Sequence, residues 1–524
     1  HPITGREEHA LVECCPGLGD KLVSGQVNPS SFVLDLASGR VVEASVPDNG
    51  VRLGDAHARE LTEALLDIQA LFGHPQDIEW AVDGNDVLWI LQSRPITAIA
   101  WRKDIDEFTN ADLKDGGISA RVCCAMMFSL YRNAMQHSMQ GFFEGLHLIP
   151  RGREPETWIR HLYGRGYWNT GASKRALARV PGFDELQFDR DLGIQKRYPA
   201  SGPLRTPTNL KTIARILPTV FASPVGHRRQ LRAVDRFRGD FPSLRADYLR
   251  RIREFASATD ETVFEGLRDA IRLLHLQTES EYFLTIYNNT TLQSDFKQLI
   301  ETIDSATGGK TSVVDLLGGL ANISHLNIQR GLLRLYRIAQ AGGMDGPAWQ
   351  SEFDAFIEEN GHHADAELDL TIPRWAEVPH HVAGMIVQMM QTGSEPADPE
   401  HTVQLQTARF ERERDSVRRR IGATLAQRLR FGMAFERRLR LVRTYLSCRE
   451  EMREYSTQVY QIVRTYVLEA GRRLVKAGKI PAVDDAFHFL EEELIGLAFG
   501  PAGGGIDAAE GARILALRKR MYQG

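Results

Sequence analysis

The chain has little cysteine, little excess charge and no long apolar run, and each shortage removes a class of protein. Five cysteines in 524 residues, Cys14-Cys15 and Cys123-Cys124 as adjacent pairs plus Cys448, give neither a zinc spacing nor the framework of a secreted disulfide scaffold. Reduced thiols in a cytoplasmic protein are the expectation, with Cys448 packed rather than reactive. A formal net charge of −4 and a pI near 6.5 supply no basic field for a polyanion. No apolar stretch approaches the roughly 20 residues that span a bilayer. Nucleic-acid and membrane partners are therefore not expected. Ordinary apolar content over this length allows two to four domains.

What is present concentrates first in residues 77–97. Ile78 to Val82 and Val87 to Arg94 are strand-like, and Asp83-Gly84-Asn85-Asp86 between them is turn chemistry, so the pair reads as a β-hairpin. Side chains alternate between faces, so Gln92 and Arg94 share one face while Trp89, Leu91 and Ser93 take the other. A turn centred on Gly84-Asn85 sets Glu79 nearly opposite Ile90, on the polar face and diagonal to Gln92. A carboxylate, an amide and a guanidinium then converge. Carboxylate and amide oxygens suit Mg²⁺, and the planar guanidinium suits phosphate. The plainer alternative, favoured by parity alone, is a half-solvated face with a Glu79–Arg94 salt bridge.

The texture of the chain changes once. Residues 1–98 mix short strands, Phe32 to Leu36 and Val41 to Val46, with a helix from Ala56 to Phe72 whose Leu61, Leu65, Ile68 and Phe72 form an apolar stripe. Beyond residue 98 nearly everything carries the 3.6-residue period. Helices are expected around 120–145, 206–220, 225–255, 261–303, 325–341, 347–360, 400–478 in pieces and 506–522. The fold class is thus an α+β N-terminal part, 1–98, followed by a large mainly α-helical domain, 99–524. The arginines of 409–443 alternate with Glu411, Glu413, Asp415 and Glu436, the pattern of an exposed charged helix. Met126, Met127, Met385, Met389 and Met390, with Phe128, Phe142 and Phe143, either line an adaptable pocket or, by default, fill core.

Asp77 to Trp80 with Gln92 to Thr97 resembles the end of the ATP-grasp nucleotide domain in the phosphoenolpyruvate synthase and pyruvate phosphate dikinase superfamily. His1-Pro2-Ile3-Thr4-Gly5 is similar to its Asn-Pro-x-Thr-Gly. Val12-Glu13 and Gly17-Leu18-Gly19-Asp20-Lys21-Leu22-Val23-Ser24-Gly25 are similar to its glycine-rich segment. The resemblance implies ATP and Mg²⁺ as cofactors, Glu79 and Gln92 as metal holders, and Arg94 against phosphate. Gly17 and Gly19 either line the nucleotide cleft or merely permit positive φ. It also implies that 1–98 is the C-terminal half of an ATP-grasp domain, so the chain reads as a fragment of a longer protein.

In a phosphoenolpyruvate synthase the mobile phosphohistidine domain, with its Thr-Ser-His motif, follows soon after the Gln-x-Arg-Pro strand. Here more than 400 residues follow without that motif, an order that resembles the rifampicin phosphotransferase group, where a helical substrate-binding domain intervenes. Asn360-Gly361-His362-His363, Glu367 and Pro373-Arg374-Trp375 look like that domain's Tyr-Gly-His-Arg and Pro-Arg-Trp elements, and Arg449-Glu450 with Arg453 like its closing helices. Gly361, His362, Arg449 and Arg453 are the candidate substrate residues. Two departures concern the acceptor: Gly-His-Arg is Gly361-His362-His363 here, and Arg453 stands where relatives often carry lysine. Arg449 and Arg453 share a helix face, and either present two cations to a phosphoryl group or pair with Glu450, Glu454 or neighbouring helices. Adjacent histidines on a helix or strand point to different sides, so His362 and His363 are expected to be poor joint metal ligands, with His362 hydrogen-bonded and structural. Tyr163 to Asn169 with Lys174 suggest one wall of a substrate pocket.

The resemblance implies an ATP-dependent phosphotransferase of the dikinase type. ATP would phosphorylate a histidine on a mobile domain, which would carry the group to a small-molecule acceptor on the helical domain. No catalytic residue, and no turnover, is expected from this chain alone. Two readings stand beside it: a pyruvate, water dikinase-like or condensing relative, and a non-catalytic helical ligand-binding module with a degenerate nucleotide remnant.

Overall fold

Alternating apolar and polar residues in 9–45 form three antiparallel strands in the computed structural model, which describes residues 1–6, 8–17, 19, 22, 27–72, 75–96, 107–111, 113, 122–152, 156–162, 164–194, 205–320, 324–393, 395–500 and 505–523. The strands are β1 (His9–Cys14), β2 (Ser30–Asp35) and β3 (Arg40–Ser45), in that order across the sheet. They belong to the first of two units, His1–Ala111 with Thr170–Ile216; the second is Asp112–Asn169 with Leu217–Gly524. The expected boundary at residue 98 follows the texture along the chain, whereas in space Thr170–Ile216 groups with the first unit.

In the first unit Val12 lies opposite Phe32. The β2–β3 turn closes through Asp35, whose carboxylate accepts from the Ser38 amide (2.8 Å) and hydroxyl (2.6 Å), with Gly39 at φ +65°. Helix α1 (Asp55–Phe72) sets Ala58 and Leu61 on Val12, Phe32 and Leu34; full burial of a leucine contributes roughly 1.5–3 kcal/mol. The expected stripe fades along α1, with Leu65 and Ile68 half-buried and Phe72 52% exposed. Strands β4 (Gln76–Val82) and β5 (Leu88–Pro95) pair as a hairpin, and Ile78, Trp80 and Leu88 pack on the same core.

Two short helices, Thr170–Leu177 and Glu185–Asp191, also belong to this unit. Lys174 is buried between Glu107 (2.6 Å) and Asp189 (2.7 Å). Burial works against its charge, but the two carboxylates raise its pKa overall. Lys174 is thus held structurally, and Tyr167 and Trp168, expected beside it in a pocket wall, fall in the other unit.

The second unit is helical. Its elements include α2 (Ala125–Gly145), α3 (Leu210–Arg253, of this unit from Leu217 on), α4 (Asp260–Asp269), α5 (Leu276–Thr307), α6 (Ser324–Gly342), α7 (Pro347–Asn360), α8 (Pro379–Thr392), α9 (Pro399–Gly422) and α10 (Leu425–Lys476). Helix α3 runs through Pro218, Pro224 and Pro242, where the sequence suggested a break. Each proline removes one donor from a ladder of 44 residues, too little to end it. Between α4 and α5 the six residues Ala270–His275 form a π-helical turn, interrupting the helix expected over 261–303. Helix α10, at 52 residues about 78 Å long, packs Phe435, Leu439 and Val442 against Phe296, Ile300 and Ile303 of α5. A second core gathers Leu335, Trp349, Phe356, Val382 and Ile386, and takes in Met385 and Met389. Met126, Met127, Phe128 and Phe143 are buried on α2, so these methionines fill core. The arginine-rich stretch, expected as an exposed charged helix, makes ion pairs, Arg418 with Glu436 at 2.6 Å and Arg420 with Asp304 at 2.7 Å.

Candidate functional site

The β4–β5 hairpin sets Glu79 directly opposite Gln92 and Asp77 directly opposite Arg94. The expected register, Glu79 near Ile90, is corrected by a β-bulge. Trp80 pairs with Ile90, which leaves Leu91 as the extra residue, 65% exposed. The bulge also breaks the expected parity of β5. Ser93 stays behind the polar face, but Ile90 and Leu88 now pair with Trp80 and Val82, and Trp80 and Leu88 pack on the core. Trp89 joins the side of Gln92 and donates its indole N–H to Asp83 at 3.0 Å. One face therefore carries Asp77, Glu79, Gln92 and Arg94. The Arg94 guanidinium contacts Asp77 at 2.9 Å, with both side chains about half exposed. The salt bridge considered from sequence thus exists with Asp77 in place of Glu79. An exposed pair of this kind contributes about 0–1 kcal/mol, so a phosphate can displace it. The donor set fits a hard cation beside a phosphate: carboxylate and amide oxygens with a guanidinium two residues on.

Gly17 has φ +86°, and a Cβ at Gly17 or Gly19 would meet nothing within 4 Å. Gly17 is explained by its backbone conformation; among the described residues nothing approaches either glycine closely. Leu18, Asp20, Lys21, Val23 to Gly25, Thr97 and Tyr163 lie outside the described residues.

In the helical unit the site begins where α7 ends. Gly361 follows Asn360, and a Cβ there would run into the Ile357 carbonyl and Ala376, so the chain turns sharply only with glycine. The loop is fastened from inside. Arg374, fully buried, donates to the Glu367 and Asp369 carbonyls at 2.9 and 3.3 Å, and Trp375 N–H to the His363 carbonyl at 2.9 Å. Arg464 of α10 grips Glu377 at 2.8 and 2.9 Å.

This turn overturns the expectation that His362 and His363 diverge. They sit in neither helix nor strand, and their rings lie 4.2 Å apart. His362 Nε2 is 2.6 Å from Glu454 Oε1, and His363 Nε2 is 3.5 Å from Glu454 Oε2. His363 Nδ1 is 2.8 Å from Glu367, which also accepts from Arg453 at 3.1 Å. Both histidines are buried, and burial lowers the pKa of His362 against the opposing pull of Glu454. The Glu454 carboxyl is driven down to about 2: burial raises it, but the hydrogen bond and charge of His362 outweigh that. Arg449 contacts Glu450 at 2.6 Å, so the two arginines pair with different acids, Arg453 with Glu367 of the loop rather than with Glu450, Glu454 or a neighbouring helix.

Sequence reasoning passed over Glu279, fully buried on α5 and accepting a hydrogen bond from Ser456 of α10, with its other oxygen unpartnered. Burial raises its pKa to about 7. It acts electrostatically on Tyr282, as do Arg449 and Arg453. A glutamate one position before Ser280 in an apolar helix is a weak signal, visible only once the packing against α10 is known.

A family model of the pyruvate phosphate dikinase AMP/ATP-binding domain matches residues 37–114, which hold Glu79, Gln92 and Arg94 but begin after Gly17 and Gly19. A model of the rifampicin phosphotransferase fourth domain matches 299–450, which hold Gly361, His362 and Arg449. Together with the relatives below, these matches make the chain similar, in two separate stretches, to proteins of the phosphoenolpyruvate synthase and pyruvate phosphate dikinase superfamily. The prodigiosin synthesizing transferase PigC of Serratia marcescens is 24% identical over 92% of this chain and 60% of its own length. A rifampicin phosphotransferase of Streptomyces sviceus is 39% identical over 19% of this chain and 14% of its own. A probable phosphoenolpyruvate synthase of Methanothermobacter thermautotrophicus is 31% identical over 23% and 20%. The chain spans 60% or less of the length of these curated relatives.

Proposed function

We propose that this chain is the nucleotide-and-acceptor part of an ATP-dependent phosphotransferase of the dikinase type, relaying a phosphoryl group from ATP through a phosphohistidine to a small-molecule acceptor. The observation that carries this reading is the hairpin face on which Glu79 faces Gln92 with Arg94 two residues on, inside the stretch matched by an ATP-binding domain. Residues 1–98 are taken as the C-terminal half of an ATP-grasp domain and 99–524 as the acceptor-binding part. Glu79 and Gln92 would hold Mg²⁺, which when bound neutralises phosphate charge. Arg94 exchanges Asp77 for phosphate oxygens. These groups position and neutralise; none is needed as acid or base.

A second reading, condensation in place of simple phosphorylation of the acceptor, is supported by the match to the prodigiosin synthesizing transferase, which runs through 92% of the chain. Both readings require the same nucleotide face.

Mg-ATP titration by calorimetry tests it. Glu79→Gln and Arg94→Ala should each weaken binding about 10–100-fold, the value of a charge-assisted contact, while Asp77→Asn should leave it equal or tighter. Equal affinity in wild type, Glu79→Gln and Arg94→Ala would overturn the assignment.

A further inference from the structure

We propose that His362, His363 and Glu454 form a binding site for one divalent ion of the zinc class, with Glu367 as the group that orients His363. Among the described residues these three bring one ligand atom each within 4.8 Å of one another. Tetrahedral coordination at about 2.0–2.2 Å asks for ligand atoms roughly 3.3–3.5 Å apart. The His363 Nε2 to Glu454 distance is 3.5 Å and the His362 Nε2 to Glu454 distance 2.6 Å, so small side-chain movements suffice.

The second argument is the partner of the other ring nitrogen. His363 Nδ1 faces Glu367 Oε1 at 2.8 Å while its Nε2 is turned toward Glu454, so a ring bound to an ion through Nε2 would donate from Nδ1 to Glu367. The carboxylate–histidine arrangement is also the one that fixes the tautomer of metal-bound imidazoles. Glu367 is in turn held by Arg453, and Trp375 flanks the His363 ring at 5.6 Å.

The donor set selects the ion. Two imidazoles and one carboxylate are borderline ligands that suit zinc over magnesium or calcium, which prefer oxygen throughout. Three protein ligands leave a fourth position for water, the pattern of zinc sites that bind exchangeable ligands.

The 524-residue chain, stripped with chelator and dialysed against limiting Zn²⁺, should retain one equivalent by elemental analysis. Loaded with Co²⁺, it should show the visible absorption of a tetrahedral site. Glu454→Gln, which keeps the shape and a hydrogen bond to His362, should abolish the cobalt bands and lower zinc affinity at least 100-fold. Glu367→Gln should retain the bands with affinity reduced about 10–100-fold. Circular dichroism of each variant confirms the fold. Should Glu454→Gln unfold, His363→Gln takes its place with the same expected loss. Absence of retained zinc in the wild type, or undiminished cobalt bands in folded Glu454→Gln or His363→Gln, would overturn the site. Mg-ATP binding is unaffected by either result, so failure here is distinguishable from failure of the nucleotide reading.

Discussion

Glu279 shows how much a single carboxyl can decide. The fold favours its neutral form, raising its pKa from the ordinary 4.5 to about 7 through burial. Because the folded value lies above the unfolded one, the associated stability is complete below about pH 4.5 and is lost as pH rises through about 7. A shift of this size corresponds to something on the order of 3 kcal/mol. Glu279→Gln should therefore flatten the stability profile between pH 5 and 8, measured by urea unfolding, and gain over wild type toward alkaline pH. His275, pushed down to about 3 by burial, works in the other direction as pH falls below 6.5, and is common to both proteins. An unchanged wild-type slope in Glu279→Gln would show that another group is responsible. Residue identities alone gave no access to this centre, since desolvation arises only when α5 and α10 close on each other.

At the scale of elements, the hairpin was legible as a hairpin, and its pairing was not. Asp83 to Asp86 announced the turn and the apolar alternation announced both strands, but one unpaired residue, Leu91, moved Gln92 from a diagonal to a directly opposed position. Removing Leu91 joins Ile90 to Gln92 and makes the ladder regular, so the deletion should keep Glu79 opposite Gln92. Thermal unfolding should then change by an amount equivalent to less than about 1 kcal/mol, whereas deleting Ser93 should reverse the facing of Arg94 and weaken Mg-ATP binding. Equal binding by the two deletions would contradict the register. Helices with a strong period were equally legible: α7 begins and ends where the sequence placed it, at 347 and 360. Helix α8 was not read, because Pro379 at its start and paired histidines after it resemble loop. The histidine cluster was misread for a related reason. Helical or strand geometry was assumed for His362 and His363, and the turn enforced by Gly361 allows what neither would.

The whole molecule has separate cores: Val12, Phe32 and Leu34 in one unit, Phe296, Val442 and Tyr445 in the other. Calorimetric unfolding should accordingly resolve two transitions. Mg-ATP should raise the midpoint of one of them and Glu279→Gln should shift the other, by linkage of each to its own native unit. A single transition moved by both would show that the cores unfold together. The change from a mixed to a mainly helical architecture was visible in the sequence as a change of periodicity. The return of Thr170–Ile216 to the first unit was not, because Lys174, Glu107 and Asp189 are far apart along the chain and each looks like an ordinary surface charge.

The π-helical turn at Ala270–His275 carries a further consequence. A wide turn accommodates one residue more than an α-helix would for the same rotation, and so sets everything after it back by about 100° relative to a continuous α-helix of the same length. Glu279 and Thr278 point inward on α5 because of that offset. Shortening the turn by one residue would restore an unbroken α-helix from α4 onward and leave the Glu279 carboxyl on the α10 side, whereas tightening it to an α-helix at full length would turn that carboxyl away.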